Sequence, residues 1–228
     1  MSVVGAAGGR PRLADGPADA PVVETARVYA GLVWDVVSDL VDLSGGGRHR
    51  REYIRHPGAV SILAMAGEPG VERILVIRQY RHPVRMTLWE LPAGLLDAPG
   101  EDPALAAARE LAEEADLEAG EYRVLVDYLP SPGGSDEAHR VFLARDVRPV
   151  PEGRRHVRTQ EEAGIVAAWV PLEEAVEAVL MGRVHNVGAV AGILAAVAAR
   201  AAGWSTLRPA DAPWPEHPDR RPGGRERG

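Results

Sequence analysis

Glu110, Glu113 and Glu114 stand three and four residues apart in the run ARELAEEADL. On a helix, that spacing brings side chains to one side, so three carboxylates would share a small volume. Such a group suits a hard divalent cation, and an all-oxygen ligand set points to magnesium or manganese. Arg109, four residues before Glu113, can neutralise one of the charges. The plainer alternative is a solvated acidic helix face, since glutamate is simply a good helix former.

A helix is what the surrounding residues call for. Asp102 suits the N-cap and Pro103 the first helical position. Leu105, Ala108, Leu111, Ala112 and Ala115 lay an apolar stripe at helical spacing. The glutamates then fall in the last turns, where the helix dipole disfavours negative charge. Crowded there, they cost stability unless an arginine or a metal ion offsets them.

The order of residues around this helix resembles the signature of the Nudix hydrolases. That signature is Gly, five residues, Glu, seven residues, then Arg-Glu-apolar-x-Glu-Glu-x-Gly-apolar. Gly94, Glu101, Arg109, Glu110, Leu111, Glu113, Glu114 and Leu117 follow it. The sequence departs from it twice. Six residues separate Gly94 from Glu101, and Asp116 occupies the second glycine position. Asp tolerates the left-handed C-cap conformation that such a glycine serves, at a cost of about 1 kcal/mol. Neither departure removes a ligand.

Over residues 22 to 203 the chain further resembles the shorter bacterial ADP-ribose pyrophosphatases. The matching words are VYAGLVWDVVSDLVDL, RHPGAV, RQYRHPV, LWELPAGLLD, SPGGSDE and GRVHNVGAVAGIL. Pro132, fifteen residues after Leu117, stands about where those enzymes carry a proline. The resemblance implies hydrolysis of ADP-ribose to AMP and ribose 5-phosphate. Another nucleoside diphosphate, or a non-catalytic ADP-ribose sensor, are the alternatives. It implies metal ligation by Glu110 and Glu114, with Glu113 sharing the site and the Ala93 carbonyl adding a ligand. Arg109 would hold a glutamate in place, Glu101 would brace the loop–helix junction, and Arg78 and Arg81 would face the diphosphate. The base would come from the acidic loop RRHVRTQEEAGI, as Glu161 or Glu162, with Asp136 and Glu137 as weaker candidates. Trp34, Tyr29 and Trp89 are candidates to clamp the adenine. A homodimer joined through its N-terminal sheets is also implied.

Composition excludes other classes. The net charge of −7 and pI near 5.5 argue against generic nucleic-acid or anionic-membrane binding. With no cysteine there is no thiol catalysis, thiolate metal site or disulfide. With no lysine there is no Schiff-base chemistry. The histidines, His82 and His185 among them, form no His-x-x-x-His pair that would mark zinc. Ser135, Asp136 and His139 lie too close in sequence to make a hydrolytic triad, and no Gly-x-Ser-x-Gly elbow exists. Neither the N-terminus nor the Ala-rich run Val187 to Ala202 makes a secretory signal or a membrane span. A soluble, cytoplasmic protein is expected.

The 228 residues should divide into four parts. Residues 1–20 and 204–228, rich in Gly, Pro, Ala or Arg, are expected to be disordered. Residues 21–57 alternate apolar and polar side chains and predict a three-stranded antiparallel layer. Residues 58–203 predict strands at 59–66, 73–80, 87–94, 122–128, 139–144 and 164–170. The acidic helix interrupts them, and two further helices follow from Leu172 and Asn186. That order predicts a mixed α/β fold, an α/β/α sandwich with the N-terminal β layer added.

Overall fold

The computed structural model describes residues 13–43, 45–98, 100–158 and 164–220. The outer parts of both termini and the two candidate bases, Glu161 and Glu162, lie outside the described residues. The chain forms two compact units that meet in sequence between Tyr53 and Ile54. In the first, β1 (Val22–Ala30), β2 (Asp35–Leu43) and β3 (Gly47–Arg55) form one sheet in that order. β1 and β2 run antiparallel, and Gly31 closes their turn through its N–H to the Trp34 carbonyl at 3.0 Å. A side chain at Gly31 would meet that carbonyl oxygen at 2.3 Å, so glycine is required.

The second unit is built around β4 (Ala59–Ala66), buried along nearly its whole length. Next in the chain come β5 (Arg73–Arg81), β6 (Met86–Glu90), β7 (Ala93–Leu95) and the helix α1 (Pro103–Ala115). Then follow β8 (Leu117–Glu118), β9 (Glu121–Tyr128), β10 (His139–Arg145), β11 (Arg148–Pro149) and β12 (Val166–Pro171). α2 (Leu172–Leu180), α3 (Val187–Ala201) and β13 (Arg208–Pro209) complete it. The main sheet runs β12-β5-β4-β10-β9-β13, with β6 on β5 and β7 on β4. β4 and β10 are parallel; the other pairs are antiparallel.

Side chains alternate across a strand, so β4 supplies both faces of the sheet. Val60, Ile62 and Ala64 pack with Phe142 against Ala106, Ala107 and Leu111 of α1. Leu63 and Met65 pack with Val141 and Leu143 against Leu172, Ala189, Ile193 and Ala196 of α2 and α3. Helices thus cover both faces, which is the expected α/β/α sandwich. No helix among the described residues is long and apolar enough to cross a membrane.

Three details differ from the sequence reading. The stretch TLWELPAG forms two strands with different neighbours, because Pro92 has no N–H to continue a ladder. Its carbonyl instead accepts from Ile62 N at 2.8 Å, and the chain steps from β5 to β4. On α1 the inward face is Pro103, Ala106, Ala107, Leu111 and Glu114, while Leu105 is 67 % exposed. The packed stripe is rotated toward the carboxylates, because alanines fit closest to the sheet.

The third difference is the tail. Residues 205–220, expected to be disordered, fold back onto the second unit with Trp214 and His217 only 5 % and 2 % exposed. Arg140 organises this region. Its guanidinium forks onto Asp127 at 2.8 and 2.9 Å and donates to the carbonyls of Ala212 and Pro213. It also stacks on the Trp214 ring at 4.5 Å. His217 bonds the Pro57 carbonyl at 3.0 Å over Gly58, whose φ of +87° and crowded Cβ position admit only glycine. Trp214→Ala should therefore lower the unfolding free energy by roughly 3 kcal/mol or more, as for other buried aromatics. Urea denaturation measures this, and an unchanged midpoint would mean that the tail does not pack.

Candidate active site

α1 begins and ends as its sequence requires. Asp102 accepts from Ala104 N at 2.7 Å, Pro103 takes the first turn, and Asp116 adopts the left-handed C-cap with φ 53°. Between these caps, Glu110, Glu113 and Glu114 occupy the last two turns. Glu114 is 6 % exposed and takes the Ala93 N–H at 2.8 Å. Glu110 lies over Gly94, where an added Cβ would come within 2.0 Å of its carboxyl carbon. Gly94 is therefore a glycine for space: it lets β7 pass beneath the Glu110 carboxylate.

Arginines meet the negative charge. Arg109 donates through Nη1 to Glu110 at 2.6 Å and to Glu113 at 3.2 Å. Through Nε and Nη2 it forks onto Glu101, both at 3.2 Å. The Glu101 hydrogen bonds, helped by the nearby Glu110 charge, raise the pKa of this guanidinium above its ordinary value. Arg158, which the sequence reading did not single out, caps the other side. It donates to the Glu113 carbonyl at 2.9 Å and to the Asp116 carboxylate at 2.6 Å. A cation at a helix C-terminus is favourable, so the dipole cost at this end is offset by the protein's own residues. Helix-end charge alone does not demand a metal ion.

The donor set still suits one. Magnesium keeps several waters and is commonly held by only one or two carboxylates together with substrate phosphates. Glu110 and Glu114, one turn apart beside Ala93 and Gly94, offer such a pair. Among the described residues, no three His, Cys, Asp or Glu side chains converge on a point that an ion could fill.

The other candidates fall in several places. Arg81 is held by the buried Glu90, and the Arg78 guanidinium lies over the Trp89 ring at 5.8 Å. Arg78 and Arg81 are an odd number of residues apart on β5, so they leave the sheet on opposite faces. Trp34 and Tyr29 belong to the first unit, Trp34 half-buried at the β1–β2 turn and Tyr29 exposed. Pro132 is exposed in a tight turn where Gly134 and Ser135 both donate to the Ser131 carbonyl.

Asp136 accepts from the His56 backbone N–H at 2.7 Å. Burial alone would raise the Glu137 pKa, but the His139 hydrogen bond and the His56 charge outweigh it and hold the carboxyl below its ordinary value. These two acids are tied into the fold. His139 bonds Ser61 at 2.7 Å, and the Ser135 hydroxyl accepts from Glu137 N. Ser61 is buried in β4, so the Ser61–His139–Glu137 chain offers no exposed hydroxyl to a substrate and instead links the two central strands β4 and β10.

A fold of this topology, with its glutamate pair seated on the strand before the helix, is that of the Nudix hydrolases. The NUDIX domain model matches residues 55–187, and the chain belongs to that family. It is 42 % identical over 200 residues to the ADP-ribose pyrophosphatase of Mycobacterium tuberculosis, covering 88 % of this chain and 93 % of the relative. It is 34 % identical over 160 residues to the ADP-ribose pyrophosphatase of Bacillus subtilis, covering 70 % and 83 %. A crystal structure of an ADP compounds hydrolase shares the fold, with a TM-score of 0.68 at 20 % identity over 84 % of this chain and 99 % of the other.

Gly94→Ala should push the Glu110 carboxylate from its seat. We expect diphosphate hydrolysis to fall about a hundredfold, since small displacements of a reacting group cost that much. Steady-state turnover beside a melting curve measures it. Normal turnover would show that Glu110 does not need this seat.

Proposed function

We propose that the chain hydrolyses the diphosphate of ADP-ribose to AMP and ribose 5-phosphate with magnesium, or manganese, as cofactor. The observation that carries this reading is the seating of Glu110 and Glu114 beside Ala93 and Gly94, in a chain so similar to two ADP-ribose pyrophosphatases. A bound divalent ion would neutralise the diphosphate oxygens and lower the pKa of a water. Glu110, Glu114 and the Ala93 carbonyl are the ligands we assign to it, with Glu113 sharing the site.

Arg109 bridges Glu110 and Glu113 and orients them. Arg81 pairs with the diphosphate, as a planar guanidinium can, whereas Arg78, which leaves the opposite face of the sheet, is not assigned a phosphate contact. Glu161 or Glu162 takes the proton from the attacking water. The oxygen adds to one phosphorus, the bridging P–O bond breaks, and the two monophosphates leave. Pro132 borders the substrate, and Trp34 is the aromatic we assign to the adenine. We also assign a homodimer joined through the N-terminal sheets, as the likeness to the ADP-ribose pyrophosphatases implies. Exposed Val22, Val23, Val28 and Tyr29 on β1 give that sheet apolar surface to cover. The pI near 5.5 and the absence of cysteine support a cytoplasmic protein without nucleic-acid or membrane partners.

A panel of nucleoside diphosphates with magnesium tests the assignment. ADP-ribose should give the highest kcat/KM and release AMP and ribose 5-phosphate. Glu114→Gln should reduce kcat about a thousandfold without loss of fold, and one of Glu161→Gln and Glu162→Gln should reduce it by about 10²–10⁴-fold. A better substrate elsewhere in the panel would move the specificity. Near-normal turnover in Glu114→Gln would remove the metal assignment.

A further inference from the structure

Glu90 lies outside the signature, at the last position of β6, and is only 2 % exposed. A carboxylate is rarely buried so deeply unless it is paired. Its partner is Arg81, which donates from Nε to one oxygen at 2.9 Å and from Nη2 to the other at 2.7 Å. Two parallel charge-assisted bonds fix the plane of a guanidinium as well as its position.

The strand register shows how far the arginine travels for this contact. Arg81 stands across from Met86, whereas Glu90 stands across from Ile77 at the other end of the same ladder. The side chain therefore runs back along the sheet, past Gln79 and Leu88, toward the end where β6 turns into Pro92 and Ala93. It remains 43 % exposed although its partner is buried. One edge of the guanidinium is anchored in the interior while the side chain keeps contact with solvent. The anchor continues into the carboxylate seat, because Pro92 is fixed by Ile62 N–H and Ala93 N–H is taken by Glu114. Glu90 thus ties the arginine to the segment on which the α1 glutamates rest.

We propose that Glu90 is a positioning residue for the hydrolysis: its carboxylate orients Arg81 toward the diphosphate before the substrate arrives. The inference rests on Arg81 as the diphosphate ligand. A lone arginine side chain has several rotatable bonds and carries substantial rotamer entropy. The Glu90 fork removes much of that freedom in the folded protein, so less is lost when a phosphate pairs with it. Glu90 touches neither substrate nor reacting atoms and acts through Arg81 alone.

A double-mutant cycle on the full chain tests this, with ADP-ribose and magnesium in steady state. Arg81→Ala should lower kcat/KM about a hundredfold. Glu90→Gln keeps the shape of the side chain but loses the charged fork. It should lower kcat/KM about tenfold, chiefly through KM, and lower it less than about twofold further once Arg81 is alanine. Glu90→Asp keeps the charge but shortens the reach, and should fall between wild type and Glu90→Gln. Melting curves on every variant separate folding losses from kinetic ones. If Arg81→Ala stays within twofold of wild type, the Arg81 assignment fails and the inference fails with it. If Arg81→Ala is severe while Glu90→Gln is silent, or costs the same with and without Arg81, the role of Glu90 alone is overturned.

Discussion

The last two turns of α1 gather more negative charge than a helix C-terminus accepts, and the rest of the second unit is arranged around that difficulty. Arg109 lies between Glu101, Glu110 and Glu113, and Arg158 closes the helix end against the Glu113 carbonyl and Asp116. These contacts hold the carboxylates at fixed positions before any ligand arrives. They also make the site competitive: a ligand that takes Glu110 must share it with Arg109 Nη1. Arg158 belongs to the segment that leads to Glu161 and Glu162, so the brace on the helix and the candidate bases are near neighbours in the chain.

The strands bring a seat to these groups. Pro92 breaks the ladder between β6 and β7, which carries Ala93 and Gly94 across to β4 and beneath the helix. There the Ala93 N–H satisfies Glu114, and Gly94 makes room for Glu110. The C-terminal tail supports the same region from below. His217 holds Pro57 over Gly58, Gly58 accepts from Leu96 N at 3.0 Å, and Arg220 donates to the Glu101 carbonyl at 2.6 Å. The loop lengthened by one residue before α1 is therefore held at both ends.

Much of this could be read from the sequence, and the parts that could not share a cause. Strand and helix positions follow local pattern and caps, so Asp102, Asn186 and the continuous apolar run AVSILAMA located their elements closely. The glutamate cluster and Gly94 were legible because their spacing is short and fixed. Arg158, Glu90 and the tail were not, because their meaning lies in partners far away in the chain. Arg158 meets Asp116 across 42 residues, and Arg140 meets Pro213 across 73. A Pro- and Arg-rich tail looks like a solvated end until a buried arginine gives it something to bind. The inward stripe of α1 is hard to read for a related reason: Leu105 has the greater hydrophobicity, but the sheet closes on the side that carries Ala106, Ala107 and Leu111 and leaves Leu105 exposed.

The central claim is that Glu110 and Glu114, seated on Ala93 and Gly94, form the metal-binding heart of a diphosphate hydrolase. A crystal structure with magnesium and a non-hydrolysable ADP-ribose analogue tests it most directly. The account predicts an ion bound by Glu110, Glu114 and the Ala93 carbonyl, in contact with the diphosphate. Density showing these carboxylates bonded only to arginine and water, with the analogue elsewhere, would contradict it.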